Sequence, residues 1–190
     1  MLVGVLALQG DFHAHARALG ELGAHSREVR TPADLHGLDG LVVPGGESTT
    51  MTLAIEREGL AAPLRELVSS GAPTLGTCAG MIMLDRDHLG LLDVRTRRNA
   101  FGRQVSSFET DLALAGVANG GSPLRAVFIR APWVDEHGRG VEVLAAVDGH
   151  PVAVREGSIL AVAFHPELTD DRRVHAWLVE RIRQRRGGSS

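Results

Sequence analysis

The sequence contains no lysine, because all 20 of its basic residues are arginines. A Schiff base with a carbonyl substrate or with pyridoxal phosphate requires a lysine amine, and so does a Walker-type phosphate loop. Neither chemistry is therefore available on this chain. Acidic residues outnumber basic ones, and the formal net charge of −3 argues against nucleic acid as the main partner.

Cysteine is almost as scarce, since Cys78 is the single one. One cysteine cannot form an intrachain disulfide, which fits a reducing compartment. Residues 1–8 are apolar but have no basic residues before them, and no apolar run approaches the ~18 residues of a membrane span. We therefore expect a soluble, cytoplasmic protein.

The remaining composition is that of an ordinary globular domain. The chain has 190 residues, of which 44% are hydrophobic and 23% charged, and it shows no internal repeat or long linker. A chain of this size normally folds as one domain with a full core. We predict a single domain over residues 1–190, with a frayed tail from about residue 186.

In the first half, short apolar runs alternate with helical patterns. Strands are predicted at residues 2–8, 41–43 and 74–76, and helical segments at 12–22, 51–58 and 63–68, with a further helix start at Thr31-Pro32. Continuous apolar strands are typical of parallel sheets that are buried on both faces. Repeated strand–helix units predict an α/β fold with a doubly wound, mostly parallel sheet and helices on both faces.

In the second half, strand-like runs follow one another, which predicts an antiparallel extension of the sheet. These runs lie at residues 105–108, 126–129, 141–147, 152–154 and 159–164. A closing helix is predicted over about residues 171–185, where apolar residues recur at helical spacing.

Gly76-Thr77-Cys78-Ala79-Gly80 has the form G-x-C-x-G between a short strand and a helical segment. This is the pattern of a nucleophile elbow, a strained turn that presents the middle side chain at the edge of a sheet. The start of the following helix favours a thiolate. The same residues also fit a small buried cysteine in a glycine-rich turn.

Phe164-His165-Pro166-Glu167 follows the strand predicted at residues 159–164. Residues two apart in an extended segment point to the same side, so His165 and Glu167 can converge, with His165 as base and Glu167 orienting its ring. An ordinary surface pair at a strand end is the alternative. Strand ends of a doubly wound sheet are where its ligands bind, which favours the catalytic interpretation of both motifs together.

Pro44-Gly45-Gly46-Glu47-Ser48 directly follows another buried strand. Adjacent glycines can turn backbone N–H groups toward an oxyanion, as acyl chemistry requires. A simple loop followed by a helix cap at Ser48 or Thr49 is the other interpretation, and the two are compatible.

These elements, in this order, resemble the triad class I glutamine amidotransferases, and within them the glutaminases of pyridoxal 5'-phosphate synthase. The similarity covers almost the whole chain, in blocks at residues 4–10, 44–50, 76–81, 98–104, 128–132 and 164–168. The blocks Gly-Gly-Glu-Ser-Thr-Thr and Arg-Asn-Ala-Phe-Gly-Arg-Gln are more specific than the elbow. The stretch from Met81 to Arg98 is several residues shorter than the family pattern.

The resemblance implies a Cys78, His165 and Glu167 triad that hydrolyses L-glutamine to glutamate and ammonia. It also implies an oxyanion hole from the backbone amides of Gly46 and Ala79, and a role for Gln9 in activation. The implied glutamine-binding residues are Gly46, Glu47, Ser48, Arg98, Ile129 and Arg130. Arg98 suits the α-carboxylate of the substrate by its charge, whereas Ile129 can offer only backbone or packing.

The resemblance further implies a partner, a synthase subunit that bears the lysine absent here and makes pyridoxal 5'-phosphate from a pentose phosphate and a triose phosphate. Three alternatives remain open: a glutaminase serving another biosynthetic partner, a hydrolase or peptidase that uses the elbow cysteine with another histidine, and a non-catalytic interaction module.

We predict no metal and no bound cofactor, because the remaining histidines show no ligand spacing. His13 and His15 fall on different faces of a predicted helix, and His175 is expected to have no role. Asp135-Glu136-His137 is predicted to be a solvated turn.

Overall fold

A seven-stranded sheet forms the centre of the chain in the computed structural model, which describes residues 1–101, 107–117 and 122–188. The strands of these ranges are β1 (Leu2–Leu6), β2 (His25–Val29), β3 (Gly40–Val43), β4 (Thr74–Thr77), β5 (Val94–Arg97), β6 (Ser107–Leu112), β7 (Leu124–Ile129), β8 (Trp133–His137), β9 (Glu142–Val147), β10 (His150–Glu156) and β11 (Ile159–Val162). The α-helices are α1 (Phe12–Glu21), α2 (Ser48–Arg57), α3 (Ala61–Ser69), α4 (Ala79–Leu84) and α5 (Arg173–Gly187). None of these helices is long and apolar enough to cross a membrane.

The central sheet has the strand order β2-β1-β3-β4-β11-β10-β9. The first five strands pair in parallel, whereas β10 pairs antiparallel with both β11 and β9. Strands β5 and β8 form one separate antiparallel pair, and β6 and β7 form another. This confirms the predicted α/β fold with a mostly parallel sheet and antiparallel strands in the later half.

Helices cover the two faces of this sheet. The chain moves from β1 to β2 in one direction along the sheet and from β3 to β4 in the other, so right-handed crossovers place α1 and α2 on opposite faces. Helix α1 contacts α5, and α2 contacts α4. Every residue of β3, β4 and β11 is buried as a result, which explains why β3 and β11 are continuous apolar runs; β4 buries Thr74 and Thr77 as well as Leu75.

Four expectations need correction. The polar strand β2 was not predicted, because an edge strand with mostly exposed residues lacks an apolar run. Asp135-Glu136-His137 is not a turn but part of β8, where it pairs with β5 and remains exposed. The start at Thr31-Pro32 gives only a short 3-10 helix, Pro32–Leu35. Helix α5 includes Arg186 and Gly187, whereas residues 189–190 of the predicted tail lie outside the described ranges.

Two further predictions are covered only in part. The strand predicted at residues 105–108 begins within the described residues at Ser107. Gly102, Arg103 and Gln104 of the Arg-Asn-Ala-Phe-Gly-Arg-Gln block lie outside them. The stretch from Met81 to Arg98 is shorter than the family pattern. Helix α4, which leads into it, has only six residues before the chain turns toward β5.

Candidate active site

The sequence motifs meet at one edge of the sheet. Strands β1, β3, β4 and β11 are neighbours, and all four are parallel. Their carboxyl ends lead into Gln9, Gly46, Cys78 and His165, so these residues meet although up to 156 positions separate them in the sequence. This edge is where ligands bind in open α/β sheets.

Cys78 occupies the strained turn that the elbow pattern predicts. Its backbone has φ 50° and ψ −112°, a left-handed conformation that residues other than glycine rarely adopt. Its N–H donates a 2.8 Å hydrogen bond to the Val162 carbonyl. A Cβ on Gly80 would lie 1.9 Å from the Val43 carbonyl oxygen, so the turn can close against β3 only with glycine there.

His165 and Glu167 converge as expected, but through a helical turn and not through an extended segment. A short 3-10 helix, Pro166–Leu168, directs Glu167 back so that its Oε1 accepts a 2.7 Å hydrogen bond from His165 Nδ1. The backbone N–H of His165 donates a 2.9 Å hydrogen bond to the Val127 carbonyl, which fixes this segment against β7. The Glu167 side chain is 2% exposed and that of His165 is 14% exposed, so Nδ1 is held from inside while the ring edge stays accessible.

The electrostatics favour an imidazolium beside the sulfur. Burial by itself lowers the pKa of His165, but hydrogen bonding with Cys78 and Glu167 and the charges of both residues raise it to about 10. Burial also opposes ionisation of Glu167, yet its hydrogen bond with His165 and the nearby His15 bring its pKa below the usual value. Protonated His165 next to a thiolate is the pair that activates cysteine nucleophiles.

The Gly46 N–H makes no hydrogen bond within the described ranges. The next amide is held in place, because Glu47 N–H donates a 2.6 Å hydrogen bond to the Gln9 side chain. A Cβ on Gly10 would lie 1.8 Å from the Gly45 carbonyl oxygen, so the two backbones touch. The segment carrying Gln9 therefore sets the conformation of the glycine pair.

Glu47, not Ser48 or Thr49, caps α2. Its carboxylate accepts hydrogen bonds from the N–H groups of Thr49 (3.0 Å) and Thr50 (2.8 Å), which lower its pKa to about 2. Arg98 donates to the same carboxylate at 3.0 Å and to the Thr49 hydroxyl at 3.2 Å. The side chains of Arg98 and Glu47 are about half exposed, so this ion pair remains within reach of a ligand.

A cavity of about 230 Å³ joins these groups, a volume suited to a small metabolite. It is lined by Gly46, Glu47, Ser48, Cys78, Ala79, Ile82, Arg98, Asn99, Ile129, Arg130, Pro132 and His165. Ile129 contributes its backbone, since its carbonyl oxygen lies 3.8 Å from Cys78 Sγ. Ile82, Asn99 and Pro132 were not predicted as site residues, although Asn99 and Pro132 fall in blocks that carry the family resemblance.

The sequence patterns gave no reason to place His15 and His175 near this cavity, but in the structure they lie behind Glu167. Both rings are completely buried and lie on the inner side of Glu167. The signal was present on α1, where His15 shares the buried face with Ala18 and Leu19. Within the described ranges, no three His, Cys, Asp or Glu side chains are grouped so as to hold a metal ion.

The doubly wound, mostly parallel sheet with a small cavity at its carboxyl edge is a class I glutamine amidotransferase-like fold. Residues 5–184 match the SNO glutamine amidotransferase family, and the chain belongs to that family.

Known relatives agree with this assignment. The chain is 55% identical over 194 residues to the "Pyridoxal 5'-phosphate synthase subunit PdxT" of Parafrankia sp. (97% of this chain, 95% of the relative), and 54% identical over 191 residues to the protein of that name from Mycobacteroides abscessus (96% and 97%). A solved structure described as a glutamine amidotransferase superposes with a TM-score of 0.87 at 46% identity, covering 95% of this chain and 98% of the other. A Thermoplasma acidophilum structure described as a putative GMP synthase subunit has a TM-score of 0.75 at 20% identity, which shows the shared fold alone, over 100% of this chain and 97% of that one.

Proposed function

We propose that this chain hydrolyses L-glutamine to L-glutamate and ammonia with Cys78, His165 and Glu167, and delivers the ammonia to a synthase subunit that makes pyridoxal 5'-phosphate from a pentose phosphate and a triose phosphate. The observation that carries the proposal is the placement of Cys78 and His165 in one cavity with the exposed Glu47–Arg98 ion pair. Free glutamine has an ammonium and a carboxylate at one end and an amide at the other; the Glu47–Arg98 pair suits the two charges, and Cys78 with His165 suits the amide.

In the proposed reaction, the Cys78 thiolate attacks the side-chain amide carbon of glutamine. The C–N bond breaks, His165 gives its proton to the leaving nitrogen, and ammonia and a glutamyl thioester form. His165 then takes a proton from water, the hydroxide attacks the thioester carbon, and the thiolate leaves with glutamate released. Glu167 keeps the His165 ring oriented and supports its positive charge in both steps.

The remaining residues bind the substrate and the developing charge. The N–H groups of Gly46 and Ala79 stabilise the oxyanion of each tetrahedral intermediate. Arg98 binds the α-carboxylate and Glu47 the α-ammonium group, while Ser48, Ile129 and Arg130 complete the wall around the substrate. We place the activity in the cytoplasm, where the single thiol stays reduced.

The proposed partner acts as a switch through Gln9. This side chain holds the Glu47 N–H at 2.6 Å, so a partner that binds near Gln9 can change the orientation of the adjacent glycine peptides. Loss of one oxyanion donor costs roughly 100- to 1000-fold in rate, which is enough for an off state without moving Cys78 or His165. We therefore expect the isolated chain to be a poor glutaminase.

The test measures ammonia release at saturating glutamine for the chain alone and with excess synthase subunit, together with pyridoxal 5'-phosphate formation. The partner should raise the rate of ammonia release by roughly 100- to 1000-fold. Cys78→Ala should abolish ammonia release while the fold is retained. Equal rates with and without the partner would refute the switch. Activity of Cys78→Ala within about tenfold of wild type would refute the nucleophile, because a covalent nucleophile contributes orders of magnitude more.

A further inference from the structure

Behind the triad, two buried histidines continue from Glu167 into the core and are hydrogen-bonded to each other. His15 Nε2 lies 3.3 Å from Glu167 Oε2, and His15 Nδ1 lies 2.9 Å from His175 Nε2. His15 is on α1 and His175 on α5, and neither residue has any exposed surface. Thr77, just before the nucleophile, places its hydroxyl 3.3 Å from His15 Nε2. Fully buried imidazoles are costly unless their polar atoms have partners, so this cluster requires an explanation.

The ionised Glu167 dictates which nitrogen of each ring carries the proton. A carboxylate can only accept, and no hydrogen bond that meets the usual geometric limits reaches Oε2 within the described residues. His15 Nε2 faces this oxygen at 3.3 Å, and a proton on Nε2 avoids two opposed lone pairs there and leaves His15 Nδ1 as an acceptor. His175 Nε2 must then be the donor to it. The chain ends at His175 Nδ1, which is buried without a partner among the described residues and so bears only a lone pair.

Both rings are neutral, and this matters for the charge on Glu167. Burial lowers the pKa of His15, although Glu167 and Asp11 oppose this and His165 adds to it. Burial and the neighbouring His15 and Arg172 lower the pKa of His175 to about 3, against an opposing effect of Glu167. A neutral N–H donor can hold the carboxylate in place without neutralising it, so its full charge remains available to His165.

We propose that His15 is a positioning residue for this glutaminase: it fixes the second oxygen of Glu167 and so sets the orientation of the His165 ring, while His175 fixes the tautomer of His15. The inference rests on the proposed function for its role in catalysis, but the proton arrangement rests on geometry alone.

The experiment compares two amide substitutions of similar chemistry. The longer side chain in His15→Gln can place an N–H donor near the original Nε2, whereas the side chain in His15→Asn reaches only the region of Nδ1. We expect His15→Asn to lower kcat for glutamine hydrolysis, measured with the synthase subunit, by about tenfold to a hundredfold with KM little changed. His15→Gln should recover most of this loss. Trp177→Phe, at another buried position of α5 and outside the cluster, serves as the control.

The pH dependence of iodoacetamide alkylation of Cys78 distinguishes a positioning role of His15 from a merely structural one. This measurement needs neither glutamine nor the partner. Weaker support from Glu167 makes His165 less basic, so the imidazolium–thiolate pair forms less readily and the alkylation profile of His15→Asn should shift to higher pH. An unchanged profile, or equal losses in the Asn and Gln variants, would overturn the inference. Absence of glutaminase activity in wild type would instead refute the proposed function and leave the alkylation test valid.

Imidazole ¹H–¹⁵N spectra of the wild-type chain test the proton arrangement without any substitution. Both His15 and His175 should carry their proton on Nε2. A proton on His15 Nδ1 would contradict the proposed role, whether or not the variants fold.

Discussion

Glu167→Gln removes one negative charge from the site at almost constant side-chain volume. In the structure, Glu167 Oε1 accepts a 2.7 Å hydrogen bond from His165 Nδ1, and the carboxylate is 2% exposed. Opposite unit charges about 4 Å apart attract by roughly 4 kcal/mol at an effective dielectric constant of about 20. Because this attraction supports the imidazolium, its complete loss from the transition state would lower kcat by roughly a thousandfold.

The neutral amide also disturbs the groups behind it. If the oxygen of the new amide faces His165, its NH₂ group faces the N–H of His15, and two donors meet in a buried space. Reversing the His15 tautomer would remove this conflict, but it would leave an N–H without an acceptor at the far end, on His175. Either arrangement is unfavourable, so we expect a loss near the upper end of about 100- to 1000-fold.

The assay is steady-state ammonia release in the presence of the synthase subunit, with His165→Asn and Glu180→Gln measured alongside. His165→Asn should lose more, roughly a millionfold, since proton transfer in both half-reactions depends on it. Glu180 is exposed on α5, and its substitution should leave the rate unchanged. Activity of Glu167→Gln within tenfold of wild type would refute the reasoning, and an essential carboxylate elsewhere would require a different triad.

Three further predictions concern binding, packing and pH. Arg98→Gln should raise KM for glutamine about tenfold or more with kcat nearly constant, whereas Arg97→Gln, beside Trp133, should change neither. Gly80→Ala should destabilise the fold by about 3 kcal/mol or more and abolish activity, because its Cβ would collide with the backbone of Val43. Gly20→Ala, in open space on α1, should instead raise the free energy of unfolding in urea by roughly 0.5–1 kcal/mol. In the folded chain the pKa of His175 is lowered from 6.5 to about 3. Between these two pH values the unfolded chain therefore binds more protons than the folded chain. The free energy of unfolding should fall by roughly 1 kcal/mol for each pH unit of acidification in this range. His175→Gln should flatten this slope in urea midpoints measured at pH 7, 6 and 5, and an equal slope in both proteins would contradict the assignment.

Local sequence determined the elements that carry the chemistry. The elbow around Cys78 is specified within five residues, because the strained turn and the close contact of Gly80 with β3 depend on residue types alone. The sequence likewise placed His165 and Glu167 just after a strand, although a short 3-10 turn and not an extended segment brings their side chains together. Continuous apolar runs specified β3 and β11, since strands buried on both faces are mostly apolar.

Tertiary structure decided what those elements meet. The edge strand β2 gains its place from pairing with β1, which its own polar residues do not reveal. In the sequence, the apolar face of α1 indicates that His15 is buried but not what it contacts, because its partner His175 lies 160 residues away. Only the packing of α1 against α5 brings the two rings together behind Glu167. A buried hydrogen-bond chain of this kind depends on angles and distances between distant elements, and those are set by the assembled core and not by any local pattern.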